Sequence, residues 1–296
     1  MSIGRVTQRM MSGHALAGLQ TSLAQLATTQ EQISTGRILN RPSDSPNDTA
    51  AAMQLNGALA ESAQHQRNGA DGLGWLGQVD TALASGGSQL LNAQDVVTRG
   101  LNGVMLGSSA RNALAGELDG LRTGLLDAAN TKYGGRPVFA GVTAGTAAYD
   151  QSGTFVGTAG AVNRTVGDGV RVRVDVDATS AFGPAGSSVF DHLAAAATAM
   201  RAGDATGLRT ALTSIQADFT RLTDARALAG SSSNRISAAI SAAGAHDLQM
   251  QTSLSTLQDT DLPRAAVDLQ MRTMAYQAAL GATSKALTPS LMDYLR

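Results

Sequence analysis

Cysteine is absent from this chain, which excludes disulfide frameworks, thiolate metal sites and cysteine nucleophiles together. Aromatic residues are only 3% and charged residues 15% of its 296 positions. Few bulky groups remain to fill a thick core. The Ala, Gly, Ser, Thr and Gln that carry much of the rest favour long, thin helices whose backbones approach closely. Lysine is scarce too: Lys132 and Lys285 are the only two, and the net charge is −1. Neither sign dominates, so no footprint for nucleic acid or a membrane surface is expected. Long apolar runs are also missing. The longest, LAAAATAM at 193–200, falls far short of the roughly 20 residues that a spanning helix needs. The N-terminal MSIGRVTQRMMSGHALAGLQ carries charge and Gln where a secretory signal needs a continuous apolar stretch. The expectation is a soluble chain without membrane insertion, whose export proceeds without a cleaved signal peptide.

What the chain does contain is helical periodicity. Leu16, Leu19, Leu23 and Leu26 step by 3, 4 and 3, and Ile33 continues the series, the spacing of a coiled-coil seam. QEQISTGRILNRPSD at 30–44 then interrupts it. Gly36 ends the first helix, Pro42 and Pro46 disfavour helix just before them, and Asp48 is expected to cap the next. Leu76, Leu83, Leu90, Val97 and Val104 recur every seven residues. Gly86, Gly87, Gly100 and Gly103 lie within that stretch, each costing about 1 kcal/mol relative to Ala, so packing rather than propensity has to hold the helix. Leu114, Leu118, Leu121, Leu125 and Ala128 define a third helix, ending near Gly134 and Gly135.

The period then changes to two. VRVRVDVD at 170–177 sets valines on one face and Arg171, Arg173, Asp175 and Asp177 on a solvated one, with GDG at 167–169 as a hairpin turn. With RPVFAG at 136–141 and GTFVGT at 153–158 this makes a small β-rich insert whose own core is expected to be modest. Helix resumes near Ser188. Leu208, Ile215, Leu222, Ala229, Ile236, Ala243, Met250 and Leu257 repeat at seven, a helix of about 75 Å that GSSSN at 230–234 is expected to bend or break. Pro263 suits the first turn of a last helix over 264–287. That helix carries two apolar stripes, Val267, Met271, Met274 and Ala278 on one and Ala266, Leu269, Tyr276, Leu280 and Leu287 on the other. One partner needs only one stripe, so the second has to meet another chain or stay exposed.

The expected fold is therefore mainly α: a long antiparallel, coiled-coil-like bundle of N- and C-terminal regions with a small β-rich domain inserted. Residues 1–42 with 261–296 form a terminal helical domain, 43–135 with 186–260 a helical bundle, and 136–185 the β-rich domain.

Motifs for chemistry are mostly rejected. GLGWLG at 72–77 matches the dinucleotide pattern in letters, but it lies inside a heptad series rather than between strand and helix. His14, His65, His192 and His246 stand apart without a second ligand at metal spacing, and no Ser, His and Asp arrangement is visible. NDT at 47–49 and NRT at 163–165 are glycosylation tripeptides without a secretory context. No catalytic, cofactor-binding or metal residue is expected; the chemistry that remains is association.

QEQISTGRILNRPSDSPNDTAAAMQL, with Met10 and Met11 ahead of it, resembles the N-terminal signature of the flagellin superfamily. SLMDYLR at 290–296, NTKYGGRPVFAG at 130–141 and GSSSNRI at 230–236 are similar to landmarks of the same superfamily. Within it the likeness is to the subunits that join hook to filament; filament flagellin is the nearest rival, and a coiled-coil sensor or adhesin rod a more remote one. The resemblance implies a rod-like structural subunit, not an enzyme. Its terminal helices pair in an inner tube and are disordered in the free monomer. It also implies export through the flagellar type III apparatus with a chaperone, self-association in a ring, binding to hook-associated protein 1 below and flagellin above, and an extracellular destination. Interface residues expected on this basis are Leu16, Leu19, Leu23, Leu26, Ile33, Val267, Met271, Met274, Tyr276, Leu280, Leu287, Leu291 and Tyr294.

Overall fold

The computed structural model describes the backbone of residues 3–103, 107–143 and 145–287, and their side chains apart from 3–9, 11–12 and 285–287. Val104, Leu291, Tyr294 and the side chain of Leu287 lie outside the described set. In chain order the elements are α1 (Ile3–Thr35), α2 (Pro46–Asn102), α3 (Ser108–Ala129), β1 (Lys132–Tyr133), β2 (Arg136–Pro137), β3 (Asn163–Gly167) and β4 (Val170–Arg173). Then follow α4 (Ala178–Phe182), α5 (Val189–Ala202), α6 (Ala205–Gln258) and α7 (Leu262–Leu287). The fold is mainly α, as the periodicity implies. Two compact units emerge, Met1–Ala60 with Asp247–Arg296 and, separately, Glu61–His246.

The second helix begins earlier than expected. Pro46 takes its first position, where a missing N–H costs nothing. Thr49 N–H donates to Ser45 O at 2.9 Å, and the Ser45 hydroxyl donates to Asp48 at 2.7 Å. Asp48 is thus inside the first turn, where its charge complements the helix dipole, rather than at the cap. α6 also departs from expectation: GSSSN does not interrupt it. Ala229 and Ile236, on either side of that segment, are 3% and 0% exposed, so the packed face carries the helix across a stretch of weak propensity.

The heptads form the core of the Glu61–His246 unit. Leu76, Leu83, Leu90 and Val97 of α2 are buried, as are Leu208, Ile215, Leu222, Ala229 and Ile236 of α6. GLGWLG lies within α2. A Cβ on Gly72 would stand 3.0 Å from Ile236 Cδ1 and 3.1 Å from Val174 Cγ1, and one on Gly74 2.5 Å from the Tyr133 hydroxyl, while one on Gly77 would meet nothing within 4 Å. Gly72 and Gly74 mark where neighbours come close inside a helix, not a phosphate cradle.

The β insert is thinner than alternation suggests. β1 pairs with β2 across Gly134 and Gly135, both at positive φ, and β3 pairs antiparallel with β4 around the expected turn. β4 stops at Arg173, and the strict alternation ends with it. Val172, Val174 and Val176 are buried but Val170 is exposed. Asp175, expected on a solvated face, is buried. It accepts two hydrogen bonds from Arg173, at 3.0 and 2.7 Å, and one from the Val162 N–H at 2.7 Å. Asp177 instead caps α4, a helix that periodicity did not announce.

The insert does not rely on a core of its own. Phe155, Phe182 and Phe190 meet around Tyr149 and Phe139 packs on Phe182, so four of the five phenylalanines join one cluster. Phe139 and Phe182 lie edge to face with centroids 5.0 Å apart, a favoured geometry worth about 1 kcal/mol beyond burial. These rings belong to the same buried cluster as the α2 and α6 heptads. A sequence poor in aromatics places half of its ten where strand material is least regular.

Candidate functional site

In the unit formed by the two ends of the chain, α1 packs against α7. Their junction is tied by backbone. Thr260 N–H donates to Gly36 O at 2.9 Å and Ile38 N–H to Gln258 O at 2.7 Å, around an antiparallel bridge of Arg37 with Asp259. The end of α1 therefore lies beside the start of α7, and the helices run antiparallel. The 37–45 link is built rather than loose: the Asp44 carboxylate accepts the N–H groups of Asn40 and Arg41 at 3.0 and 2.8 Å.

The faces of these helices differ in burial. Along α1 the less exposed positions include Ala15, Leu19, Ser22, Leu26, Thr29 and Ile33, at steps of 4, 3, 4, 3 and 4, joined near the end of the helix by Glu31 and Gln32. The expected seam is corrected by this: Leu19, Leu26 and Ile33 lie on it, while Leu16 and Leu23 flank it at 59% and 49% exposure. Small and polar Ala15, Ser22 and Thr29 complete the seam, which a search for leucine cannot find. Along α7 the corresponding face is Ala265, Leu269, Arg272, Tyr276, Ala279 and Thr283. Val267, Met271 and Met274 are 55%, 53% and 61% exposed, and Ala278 is exposed with them. At 3.6 residues per turn they lie on the opposite side of α7. Leu280, 43% exposed, borders the half-buried face.

This unit has little core. Among its described residues only Thr29, Ala52, Met250 and Ala265 are buried. The stripe of Val267, Met271, Met274 and Ala278 thus lies exposed on a weakly anchored helix, and covering one Val or Met side chain contributes about 1.5–3 kcal/mol. The remaining interface expectations at Leu287, Leu291 and Tyr294 fall outside the described residues.

One polar cluster in the Glu61–His246 unit escaped sequence reasoning. His192 Nδ1 lies 2.7 Å from Asp218 Oδ2, Arg221 donates to Asp218 Oδ1 at 2.9 Å, and the Ser187 hydroxyl lies 3.3 Å from His192 Nε2. Asp218 is 0% exposed. Burial pushes its carboxyl above the ordinary range, against the pull of His192 and Arg221. A Ser, His and Asp arrangement does exist, then, contrary to the reading of the sequence. No motif spacing announces it, because Asp218 reaches His192 from another helix.

Residues 6–144 match the bacterial flagellin N-terminal helical region, and residues 212–295 match the bacterial flagellin C-terminal helical region. The chain is 30% identical to flagellar hook-associated protein 3 of Escherichia coli over 203 residues, 68% of this chain and 61% of that protein. The match thus spans about three fifths of the relative's own length. Two solved structures share the fold. One is a candidate flagellar hook-associated protein of Vibrio parahaemolyticus, with a TM-score of 0.68, 21% identity, and coverage of 73% of this chain and 100% of that one. The other is the flagellar junction protein FlgL of Legionella pneumophila, with a TM-score of 0.59, 13% identity, and coverage of 71% and 100%. With flagellin's terminal helical regions matched at both ends and α1 paired to α7, the chain belongs to the bacterial flagellin family.

Proposed function

We propose that this chain is a structural subunit of the bacterial flagellum that joins hook to filament. The observation that carries the reading is the exposed stripe of Val267, Met271, Met274 and Ala278, set opposite the half-buried side of α7 in a unit with almost no core. Such a surface asks for a second subunit. On this reading the subunits self-associate in a ring, bound on the hook side to hook-associated protein 1 and on the filament side to flagellin. Residues 1–42 and 261–296 form the inner tube and are disordered in the free monomer, the helices α1 and α7 being those of the assembled state. Residues 43–135 with 186–260 are the bundle, and 136–185 the outer domain. The subunit is exported without a cleaved signal, through the flagellar type III apparatus and with a chaperone. It works by assembly rather than by turnover of a substrate.

The name of the Escherichia coli relative supports the junction reading over filament flagellin. Deleting the gene in the source bacterium tests it. The expected phenotype is loss of motility, with hooks present and flagellin released into the medium; intact filaments overturn the proposal. A purified chain that grows long filaments when seeded points instead to filament flagellin.

A further inference from the structure

We propose that Ser187 is an activated nucleophile: a covalent modification site that accepts an activated acyl or phosphonyl group, with His192 as its base. Ser187 is exposed and stands immediately before the N-cap of α5. Its hydroxyl lies 3.3 Å from His192 Nε2, and His192 Nδ1 lies 2.7 Å from Asp218 Oδ2. An ionised carboxylate only accepts, so Nδ1 carries the hydrogen and Nε2 turns its lone pair to the serine. Nucleophile, base and orienting carboxylate are thus in sequence, the arrangement that makes a serine hydroxyl reactive.

The surroundings hold this chain of contacts in place. Ser188 and Asp191 form a capping box that fixes the start of α5 and hence the His192 side chain one residue on. Arg221 donates to the second oxygen of Asp218 at 2.9 Å, so the carboxylate is held at both oxygens. Gly183, at φ 89°, lets the 183–188 turn close on α6: a Cβ there would stand 2.6 Å from both Arg221 Nη1 and Ser187 O. The charged groups facing His192 are Asp218 and Arg221 from α6 and Asp191 from its own helix. By contrast, Thr21, Thr81, Thr123 and Thr198 donate their hydroxyls to the carbonyl four residues back. Those hydroxyls are occupied by backbone carbonyls of their own helices.

In the step itself Ser187 Oγ forms a bond to the carbonyl carbon or phosphorus, and its proton passes to His192 Nε2. The bond from that centre to the leaving group breaks, and the leaving group departs with the electron pair. With an ester the departing alkoxide takes the proton from His192; with a fluorophosphonate, fluoride leaves.

The test is to treat the folded, full-length chain with a fluorophosphonate at neutral pH and map the adduct by peptide mass spectrometry. One adduct at Ser187 is expected, absent in Ser187→Ala, which alters an exposed side chain and leaves the melting curve unchanged. His192→Gln should slow labelling by roughly 100-fold or more. If His192→Gln loosens the fold, Asp218→Asn, which replaces the carboxylate by a carboxamide of the same shape, should slow labelling in its stead. No adduct, an adduct spread over several hydroxyls, or equal labelling of the protein unfolded in denaturant overturns the proposal.

Discussion

Thr260 donates its backbone N–H to the carbonyl of Gly36 at 2.9 Å, which places the last turn of α1 beside the start of α7. Gly36 sits at φ 69°, a conformation that costs other residues about 1–2 kcal/mol. Thr260→Pro removes the donor and should cost about 1–3 kcal/mol locally. Hydrogen exchange on the assembled chain checks this: amides of residues 262–284 should exchange faster than in the assembled native chain, while those of residues 75–97 are unaffected.

The exposed stripe on α7 should govern association without governing the core. Met271→Glu combined with Met274→Glu adds charge where Val267 and Ala278 also face outward. Self-assembly of the purified chain, followed by sedimentation, should fall sharply while its main melting transition stays in place. Unchanged assembly means that the stripe is not an interface.

Free monomer and assembled ring should differ in α7. With so few buried residues in its unit, amides of 262–284 should exchange within the fast limit in a verified monomer and gain protection on assembly. Strong protection in the monomer contradicts the proposed ordering on assembly.

The heptad core should be costly to hollow out. Leu90 is 0% exposed, and Leu90→Ala should destabilise the Glu61–His246 unit by about 2–5 kcal/mol, read from chemical denaturation.

Asp177 supplies a pH dependence of defined sign. The Thr179 hydroxyl, with the N–H groups of Ser180 and Thr179, stabilises its carboxylate and holds the carboxyl below its ordinary value. A carboxyl lower in the folded than in the unfolded chain adds stability above the unfolded value, about 4. That stability is lost as pH falls through the folded value. Asp177→Ala should cost about 1 kcal/mol at neutral pH, and its deficit relative to the native chain should shrink in acid. Thermal melts across pH 2 to 7, on the order of the carboxylate range, check this.

Much of the architecture was legible because helical periodicity is local. Leu76, Leu83, Leu90 and Val97 recur at a fixed step, and any helix through them presents one face, so their common face follows from covalent spacing alone. The break at Gly36 was legible for the same reason, as was the hairpin turn at 167–169. The failures have a common cause as well. GSSSN reads as a breaker only when the packing of Ala229 and Ile236 is unknown, and Asp175 reads as solvated only while the strand is assumed to continue. The end of β4 and the position of Arg173 decide that.

The sequence by itself determined the helices, their apolar faces and the membership of both ends in one family, because period, caps and signature residues are properties of neighbouring positions. Tertiary structure alone decided which apolar face of α7 stays uncovered, that Leu16 and Leu23 flank the seam rather than form it, and that Ser187, His192 and Asp218 meet. Each depends on where a second helix lies, and no local spacing encodes the distance between side chains that are far apart along the chain.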